Sequence, residues 1–153
     1  MIDETEIRRV LSGDFTEWKV LWEGYNSFYG REGETALPIE IVEMTWSRFF
    51  DSYEPIHAMV AVNSNKMVGL VHYLFHRSTI NIEPVCYIQD LFTTESARGK
   101  GVGHALIDRA SEHARSEGAK RIYWQTHETN TVAIRLYERV IKKSGFIVYS
   151  KML

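Results

Sequence analysis

The chain has 153 residues, of which 44% are hydrophobic and 25% are charged, and its net charge is −2. These fractions exclude disordered and fibrous proteins, and the length suits a single domain over residues 1–153 with its own hydrophobic core. The near-neutral charge argues against a protein devoted to nucleic-acid binding, which normally has a strong basic excess.

A short strand and two helices are predicted in the N-terminal third of the chain. The strand covers residues 6–11. The first helix begins at Asp14, a favourable N-cap residue. Its apolar face is formed by residues spaced by three and four, namely Phe15, Trp18, Leu21, Trp22 and Tyr25. The second helix begins near Pro38 and repeats the same period as far as Phe49.

The middle of the chain predicts an antiparallel meander. Strand patterns lie at residues 57–63, 66–78 and 85–94. The Ser64-Asn65 pair between the first two strands is typical of a tight hairpin turn. His72 and His76 share a face of the second strand, but the spacing supplies no third ligand, so we expect no metal site.

The C-terminal part alternates between helices and strands. The predicted elements are a helix at 101–117, a strand at 120–126, a helix capped by Asn130 and a closing strand at 146–152. The predicted buried face of the last helix comprises Ala133, Leu136, Tyr137, Val140 and Ile141. This order of elements indicates an α/β (α+β) fold with a mixed, mostly antiparallel sheet and helices on both faces.

Cysteine usage and the N-terminal residues predict the cellular location. A single cysteine, Cys86, cannot form an internal disulfide. The first ten residues are polar and acidic, whereas a signal peptide starts with a basic and then an apolar run. No stretch approaches the roughly 18 consecutive apolar residues of a membrane span. We therefore expect a cytoplasmic protein that does not bind membranes or nucleic acid.

The segment at residues 98–104 has the composition of an anion-binding turn. Its glycines allow close approach to the backbone, and the N–H groups at the start of the following helix face an anion. Arg98 and Lys100 add charge that suits a pyrophosphate. A P-loop is excluded because Lys100 precedes the last glycines, and the dinucleotide pattern fails because His104 stands where its third glycine belongs.

Two motifs resemble those of GCN5-related N-acetyltransferases. Residues 89–106, with Arg-x-x-Gly-x-Gly at 98–103, resemble the acetyl-CoA motif, and residues 130–137 followed by Gly145-Phe146 resemble the second motif. The ending resembles the branch that includes yeast histone and polyamine acetyltransferases. The family fold implies strands that splay apart at the cofactor site. Seven residues separate Tyr137 from Gly145, more than in many members, so we expect the last helix to run a turn longer.

The resemblance implies how acetyl-CoA is held and which group acts on it. The pantetheine arm would pair with the backbone of Leu91, Phe92 and Thr93. The pyrophosphate would be held by the glycine-rich turn, which comprises Arg98, Gly99, Lys100, Gly101, Val102, Gly103 and His104. Asn130 would bond the cofactor arm, and the Tyr137 hydroxyl would protonate the leaving thiolate. A core tyrosine is the alternative interpretation of Tyr137.

Direct transfer requires a neutral amine and therefore a group that accepts its proton. Asp90 is the first candidate, because it lies beside the expected splay, and we expect it to share one sheet face with Ile88 and Phe92. A purely structural carboxylate is an equally open interpretation. His127 and Glu128 are weaker candidates.

The acceptor is expected to bind at the N-terminal helices, where residues 1–45 have a net charge of −6. Aromatic and acidic residues there suit a cationic amine, namely Trp22, Tyr25, Tyr29, Glu32 and Glu34. We expect a small amine, a polyamine or an amino-acid-like acceptor, with a peptide or protein amine as the alternative. A non-catalytic acetyl-CoA sensor is a further alternative, although it would not need Tyr137. The family's habit suggests a homodimer.

Overall fold

The computed structural model describes residues 4–153; residues 1–3 of the predicted domain lie outside the described residues. The strands of its single sheet are β1 (Thr5–Arg9), β2 (Ile56–Asn63), β3 (Lys66–His76), β4 (Val85–Thr93) and β5 (Ile122–Trp124). The α-helices are α1 (Phe15–Phe28), α2 (Ile39–Arg48), α3 (Val102–Ser116) and α4 (Thr131–Val140). The strands follow chain order, antiparallel from β1 to β4, with β5 parallel to β4. The predicted mixed, mostly antiparallel sheet is confirmed.

Helices cover both faces of the sheet, as predicted. On one face, Trp18 and Trp22 of α1 pack with Val42 of α2 against β2 and β3. On the other face, Leu106 and Ala110 of α3 pack against the inward side chains of β3 and β4. The two cores fix α1 and α3 on opposite sides of the strand that carries the candidate base.

The predicted hairpin turn between β2 and β3 is confirmed. Ser64 and Asn65 have positive φ angles of 49° and 62°. A two-residue hairpin turn of this kind needs positive φ at both central positions, which Asn tolerates better than most residues.

Gly69 of β3 lies where α3 comes closest to the sheet. A Cβ atom at this position would lie 3.0 Å from side-chain atoms of Leu106 and Val102, and 3.1 Å from the carbonyl oxygen of Phe92. These separations are shorter than normal carbon contacts, so only glycine allows the first turns of α3 to sit directly on the strand.

The strands splay apart where β4 leaves β5. The parallel pairing covers three positions and ends at Ile88 and Trp124. β4 continues to Thr93, paired only with β3 on its other side within residues 4–153. The backbone of the last part of β4 therefore has an open edge, as the family resemblance implied.

A β-bulge at Gln89 corrects the predicted orientation of Asp90. His72 pairs with Asp90, whereas the next residue, Tyr73, pairs with Ile88, so Gln89 is an extra residue in β4. Ile88 lies in the core beneath α3, while Asp90 bonds to His72 on the α1 face. The expectation that Ile88 and Asp90 share one face is wrong, because an extra residue reverses the alternation of a strand.

Three expectations for the C-terminal part are wrong. α4 ends at Val140 instead of running a turn longer, and residues 141–153 form neither a helix nor the predicted strand at 146–152. Leu136 and Val140, predicted to be buried, are 54% and 51% exposed. A segment with strand propensity forms a strand only where a neighbouring strand supplies hydrogen bonds. A helix is stabilised mainly by packing of its apolar face, and much of the apolar face of α4 is exposed.

Candidate active site

The glycine-rich turn leads from the end of β4 into α3. Gly99 and Gly101 have left-handed φ angles of 74° and 83°, and Gly101 is the N-cap residue of α3. The N–H groups in the first turn of a helix have no intrahelical acceptor, and the first turn of α3 contains no acidic side chain. The turn thus presents backbone donors and the positive end of a helix dipole, which together suit a phosphate.

Arg98 connects this turn to the end of β4. Its Nε donates a hydrogen bond to the carbonyl oxygen of Thr93 at 3.2 Å, and its guanidinium carbon lies 6.0 Å from the ring centroid of Phe92. Lys100 and His104 are exposed beside it. The structure therefore places Arg98 at the end of β4, whereas Lys100 lies in the glycine-rich turn and His104 in the first turn of α3.

Asp90 is held in a buried chain of hydrogen bonds. Trp18 Nε1 donates to His72 Nε2 at 2.9 Å, and His72 Nδ1 lies 2.7 Å from Asp90 Oδ2. Because an indole N–H can only donate, His72 Nε2 must accept, and the proton on Nδ1 therefore points to Asp90. His72 is 1% exposed and Asp90 is 8% exposed, so the chain excludes bulk water.

The surroundings of Asp90 keep it ionised. Burial alone would raise the pKa of its carboxyl group, but the hydrogen bond from His72, together with the nearby Tyr25 hydroxyl and Trp22 indole, outweighs burial and lowers that pKa. The Nε1 of Trp22 has no partner within hydrogen-bond geometry in the described part of the chain, although Trp22 contributes to this shift. Burial, followed by the charge of Asp90, raises the pKa of Tyr25.

A chain of tyrosines connects Asp90 to α4. Tyr25 lies beside Asp90, and its ring centroid is 5.0 Å from that of Tyr29. Burial and then the proximity of Tyr29 raise the pKa of Tyr137, whose ring packs edge-on against Trp124 at 5.4 Å. The structure therefore brings together Asp90, Tyr25, Tyr29 and Tyr137 from three different elements.

A cleft of about 330 Å³ lies next to Tyr29. Its walls are Phe28 and Tyr29 at the end of α1, and His127 with residues 129–132 at the start of α4. Asn130 caps α4 by accepting a hydrogen bond from the backbone N–H of Ala133 at 3.4 Å. His127, a weaker base candidate, is exposed and bonds to Thr129.

The remaining predicted acceptor residues lie in different environments. Trp22 is buried in the core and stacks on Trp18, so it packs beneath the site and has little surface for contact with an acceptor. Glu32 is exposed and accepts a hydrogen bond from Ser27, and Glu34 is exposed on the connection between α1 and α2.

Sequence reasoning missed two residues of this region. His72 was considered only as a metal ligand, and its contact with Asp90 depends on the bulge, which no local pattern announces. Arg31 was not considered, although its guanidinium lies over the rings of Tyr25 and Tyr29. Its position just after an aromatic helix face was the available signal.

Comparison with known proteins identifies the family. The model of the acetyltransferase (GNAT) family matches residues 18–141. The D-amino-acid N-acetyltransferase HPA3 of Saccharomyces cerevisiae is 31% identical over 151 residues, covering 97% of this chain and 91% of the relative. The chain belongs to the GNAT family and is an N-acetyltransferase.

Solved structures share the fold. A transcriptional regulator from Bacillus halodurans superposes with a TM-score of 0.82 at 23% identity, covering 97% of this chain and 99% of the other. The aminoglycoside acetyltransferase AAC(6')-Iy, solved with a bisubstrate analogue containing coenzyme A, superposes with a TM-score of 0.82 at 13% identity, covering 97% and 98%.

The described residues lack the features of a membrane-spanning helix and of a metal cluster. None of the helices in residues 4–153 combines the length and apolar character that a membrane crossing requires. The same residues contain no group of three or more His, Cys, Asp or Glu side chains arranged to hold a metal ion.

Proposed function

We propose that this N-acetyltransferase transfers the acetyl group of acetyl-CoA directly to the primary amine of a small acceptor bound beside Tyr25 and Tyr29. The observation that carries the proposal is the convergence of a buried, ionised carboxylate, a half-buried tyrosine and an open strand edge at one end of the sheet. The name of the yeast relative supports an amino-acid-like acceptor. A small amine or a polyamine also fits the size of the cleft.

The residues of the glycine-rich turn and β4 fit coenzyme A. The open edge of β4 at Leu91, Phe92 and Thr93 can pair with the amide groups of pantetheine as an added strand would. The first turn of α3 would hold the pyrophosphate, with Arg98 beside it, and Asn130 would face the cofactor arm. The bound cofactor supplies an activated thioester carbonyl.

Asp90 and Tyr137 act on opposite sides of the transfer. As a neutral amine attacks the thioester carbonyl, its nitrogen becomes positively charged, and the Asp90 carboxylate stabilises that charge and accepts the proton, directly or through water. The C–S bond then breaks, and the Tyr137 hydroxyl donates to the departing thiolate. No acyl-enzyme is needed, which agrees with the buried Cys86, whose thiol pKa burial raises to about 12.

Cofactor binding is tested by thermal unfolding of the purified protein. Acetyl-CoA or CoA at a hundredfold excess over its Kd is expected to add about 2.7 kcal/mol of stability. For a chain of this size that corresponds to a rise in Tm of roughly 5–10 °C, whereas NAD should give none.

A matched pair of variants locates the binding site. His104 is exposed in the first turn of α3. His104→Glu places a negative charge where the pyrophosphate would lie and should abolish the rise, while its free-protein Tm stays close to that of the wild type. His104→Gln should retain the rise. An equal rise in Tm for both variants would place the cofactor elsewhere. If CoA does not raise the Tm of the wild type, the cofactor assignment is refuted.

Two other functions are weighed against this one. A peptide or protein amine needs room for the residues on either side of it, whereas the cleft beside Tyr29 has a volume of about 330 Å³, which suits a small acceptor. A sensor that binds acetyl-CoA without turnover would not need Tyr137 with its hydroxyl kept protonated by a raised pKa. Release of CoA thiol in the presence of an amine separates the enzyme from the sensor.

We also propose that the protein is a homodimer in which C-terminal segments meet. Phe146 and Tyr149 are 90% and 87% exposed, and the apolar face of α4 is uncovered in the described structure. β5 pairs only with β4 in residues 4–153, so its outer edge can accept a strand from a second copy. Removal of residues 144–153 should convert a dimer to a monomer in light scattering; a full-length monomer would refute the dimer.

Cytoplasmic location, a single domain and the absence of a nucleic-acid partner stay predictions. The free, buried thiol of Cys86 supports a reducing compartment.

A further inference from the structure

Arg31 is fixed in place at the end of α1 by a buried asparagine. The Arg31 backbone N–H donates to the carbonyl oxygen of Asn26 at 2.9 Å, and its Nε donates to Asn26 Oδ1 at 2.8 Å. Asn26 is only 4% exposed. A buried asparagine whose backbone carbonyl accepts from the backbone of an arginine, and whose side-chain oxygen accepts from its Nε, holds that side chain in a single orientation.

The guanidinium of Arg31 lies over the tyrosines of the acceptor site. Its central carbon is 5.8 Å from the ring centroid of Tyr25 and 5.5 Å from that of Tyr29. Among residues 4–153, Arg31 forms no ion pair with a carboxylate, and its recorded side-chain hydrogen bond uses Nε alone. The two terminal nitrogens are therefore available as donors.

Tyr25 lies near two opposite charges. Burial is the main cause that raises the pKa of its hydroxyl group; the anion of Asp90 raises that pKa further, and the cation of Arg31 lowers it. Glu32, one of the expected acidic residues, instead bonds to Ser27 and is exposed. The region around Tyr25 thus contains both a buried negative charge, Asp90, and a positive charge, Arg31.

We infer that Arg31 selects acceptors that carry a carboxylate next to the amine, which are free amino acids. The terminal guanidinium nitrogens bind the carboxylate through paired hydrogen bonds, and the amine then lies toward Asp90. A polyamine presents a second cation to Arg31 and is disfavoured. This inference rests on the proposed function, because it requires the acceptor to bind beside Tyr25 and Tyr29.

The test compares each amino acid with the amine formed by removing its carboxylate. The pairs are phenylalanine with phenethylamine and lysine with cadaverine, with both D and L amino acids assayed for CoA release. For wild-type protein, kcat/KM should favour the amino acid of the better enantiomer in each pair. In Arg31→Gln, the KM of the amino acid should rise by about 10- to 100-fold, while the KM of the matching amine stays unchanged or falls.

Two further variants separate selection from support of the fold. Arg31→Lys keeps the charge without the paired geometry and should restore part of the preference. Arg109→Gln removes an exposed arginine paired with Glu112 on α3 and should leave the preference unchanged. If Arg31 only supported the fold, Arg31→Gln would lower Tm and raise the KM of the amino acid and of its matching amine equally. That result would overturn the inference.

A binding measurement keeps this test separate from the test of acetyl transfer. N-acetylphenylalanine and N-acetylphenethylamine are titrated calorimetrically into wild type and Arg31→Gln in the presence of CoA. The carboxylate compound should bind wild type at least about tenfold more tightly than the variant. Equal binding to both proteins refutes the role of Arg31 even if amines are acetylated, whereas lack of acetylation with selective binding refutes only the proposed catalysis.

Discussion

Replacement of Tyr137 by phenylalanine is expected to lower kcat for acetyl transfer by about 10²- to 10³-fold, with the Kd for acetyl-CoA nearly unchanged. The substitution removes one hydroxyl group and keeps the ring that packs against Trp124. The loss should appear in kcat because the hydroxyl interacts with the sulfur only as the C–S bond breaks.

The raised pKa of Tyr137 defines how it acts. Burial and the nearby Tyr29 raise its pKa above the ordinary tyrosine value, so the hydroxyl stays protonated well beyond neutral pH. An alkyl thiol has a pKa of about 8.5, lower than that of a tyrosine, so complete proton transfer to the thiolate is uphill. In the proposed mechanism the hydroxyl would therefore stabilise the developing thiolate mainly through a hydrogen bond, and ionisation of Tyr137 should not reduce the rate until the pH exceeds about 10.

Tyr123→Phe is the matched control for this substitution. Tyr123 lies on β5, and its hydroxyl bonds to His76 Nε2 on β3 at 2.8 Å, outside the proposed site. The control should retain kcat. Stopped-flow measurement of thiol release in both variants checks the difference, and full activity in Tyr137→Phe would support the interpretation of Tyr137 as a core tyrosine.

The Asp90→Asn variant should lose about 100-fold in kcat, the second large effect. Asparagine has nearly the same shape, and its carbonyl oxygen can still accept a hydrogen bond from His72 or Tyr25. The negative charge that stabilises the positively charged nitrogen of the adduct is lost. Steady-state kinetics across pH 6–9 should show the same slope in both proteins, because the fraction of neutral acceptor amine sets it and Asp90 is ionised throughout this range.

Asp108→Asn, on the exposed side of α3 near His104, is the control for this loss of charge. It should retain the wild-type kcat and pH profile. Unfolding curves separate the two possible roles of Asp90. If Asp90 is only structural, Asp90→Asn should have a lower Tm, and kcat of the folded protein should be unchanged. That outcome would remove Asp90 from the mechanism.

The elements with strong local patterns were predictable from sequence. The helix predicted at 101–117 is observed at Val102–Ser116, and its apolar spacing matches the face that packs on the sheet. The turn at Ser64-Asn65 is observed, and Asn65 is a residue that tolerates the positive φ that this turn requires. Both features depend on residues within one or two turns of chain, where sequence patterns are informative.

Features that depend on distant partners were not predictable in the same way. The bulge at Gln89 changes which face Asp90 occupies, although residues 85–94 show an ordinary strand pattern. The Trp18–His72–Asp90 chain joins residues from α1, β3 and β4, so no local spacing encodes it. The segment 146–152 has strand propensity, yet a strand needs a neighbour, which its own residues do not specify.

The absent side chain at Gly69 also has a consequence for the cofactor. Val102 and Leu106, which crowd the space above it, lie in the first two turns of α3, directly after the turn that would grip the pyrophosphate. The distance of the proposed phosphate site from the sheet therefore depends on the absence of a Cβ atom at Gly69. The geometry of the proposed cofactor site thus depends on Gly69, a residue that coenzyme A itself need not contact.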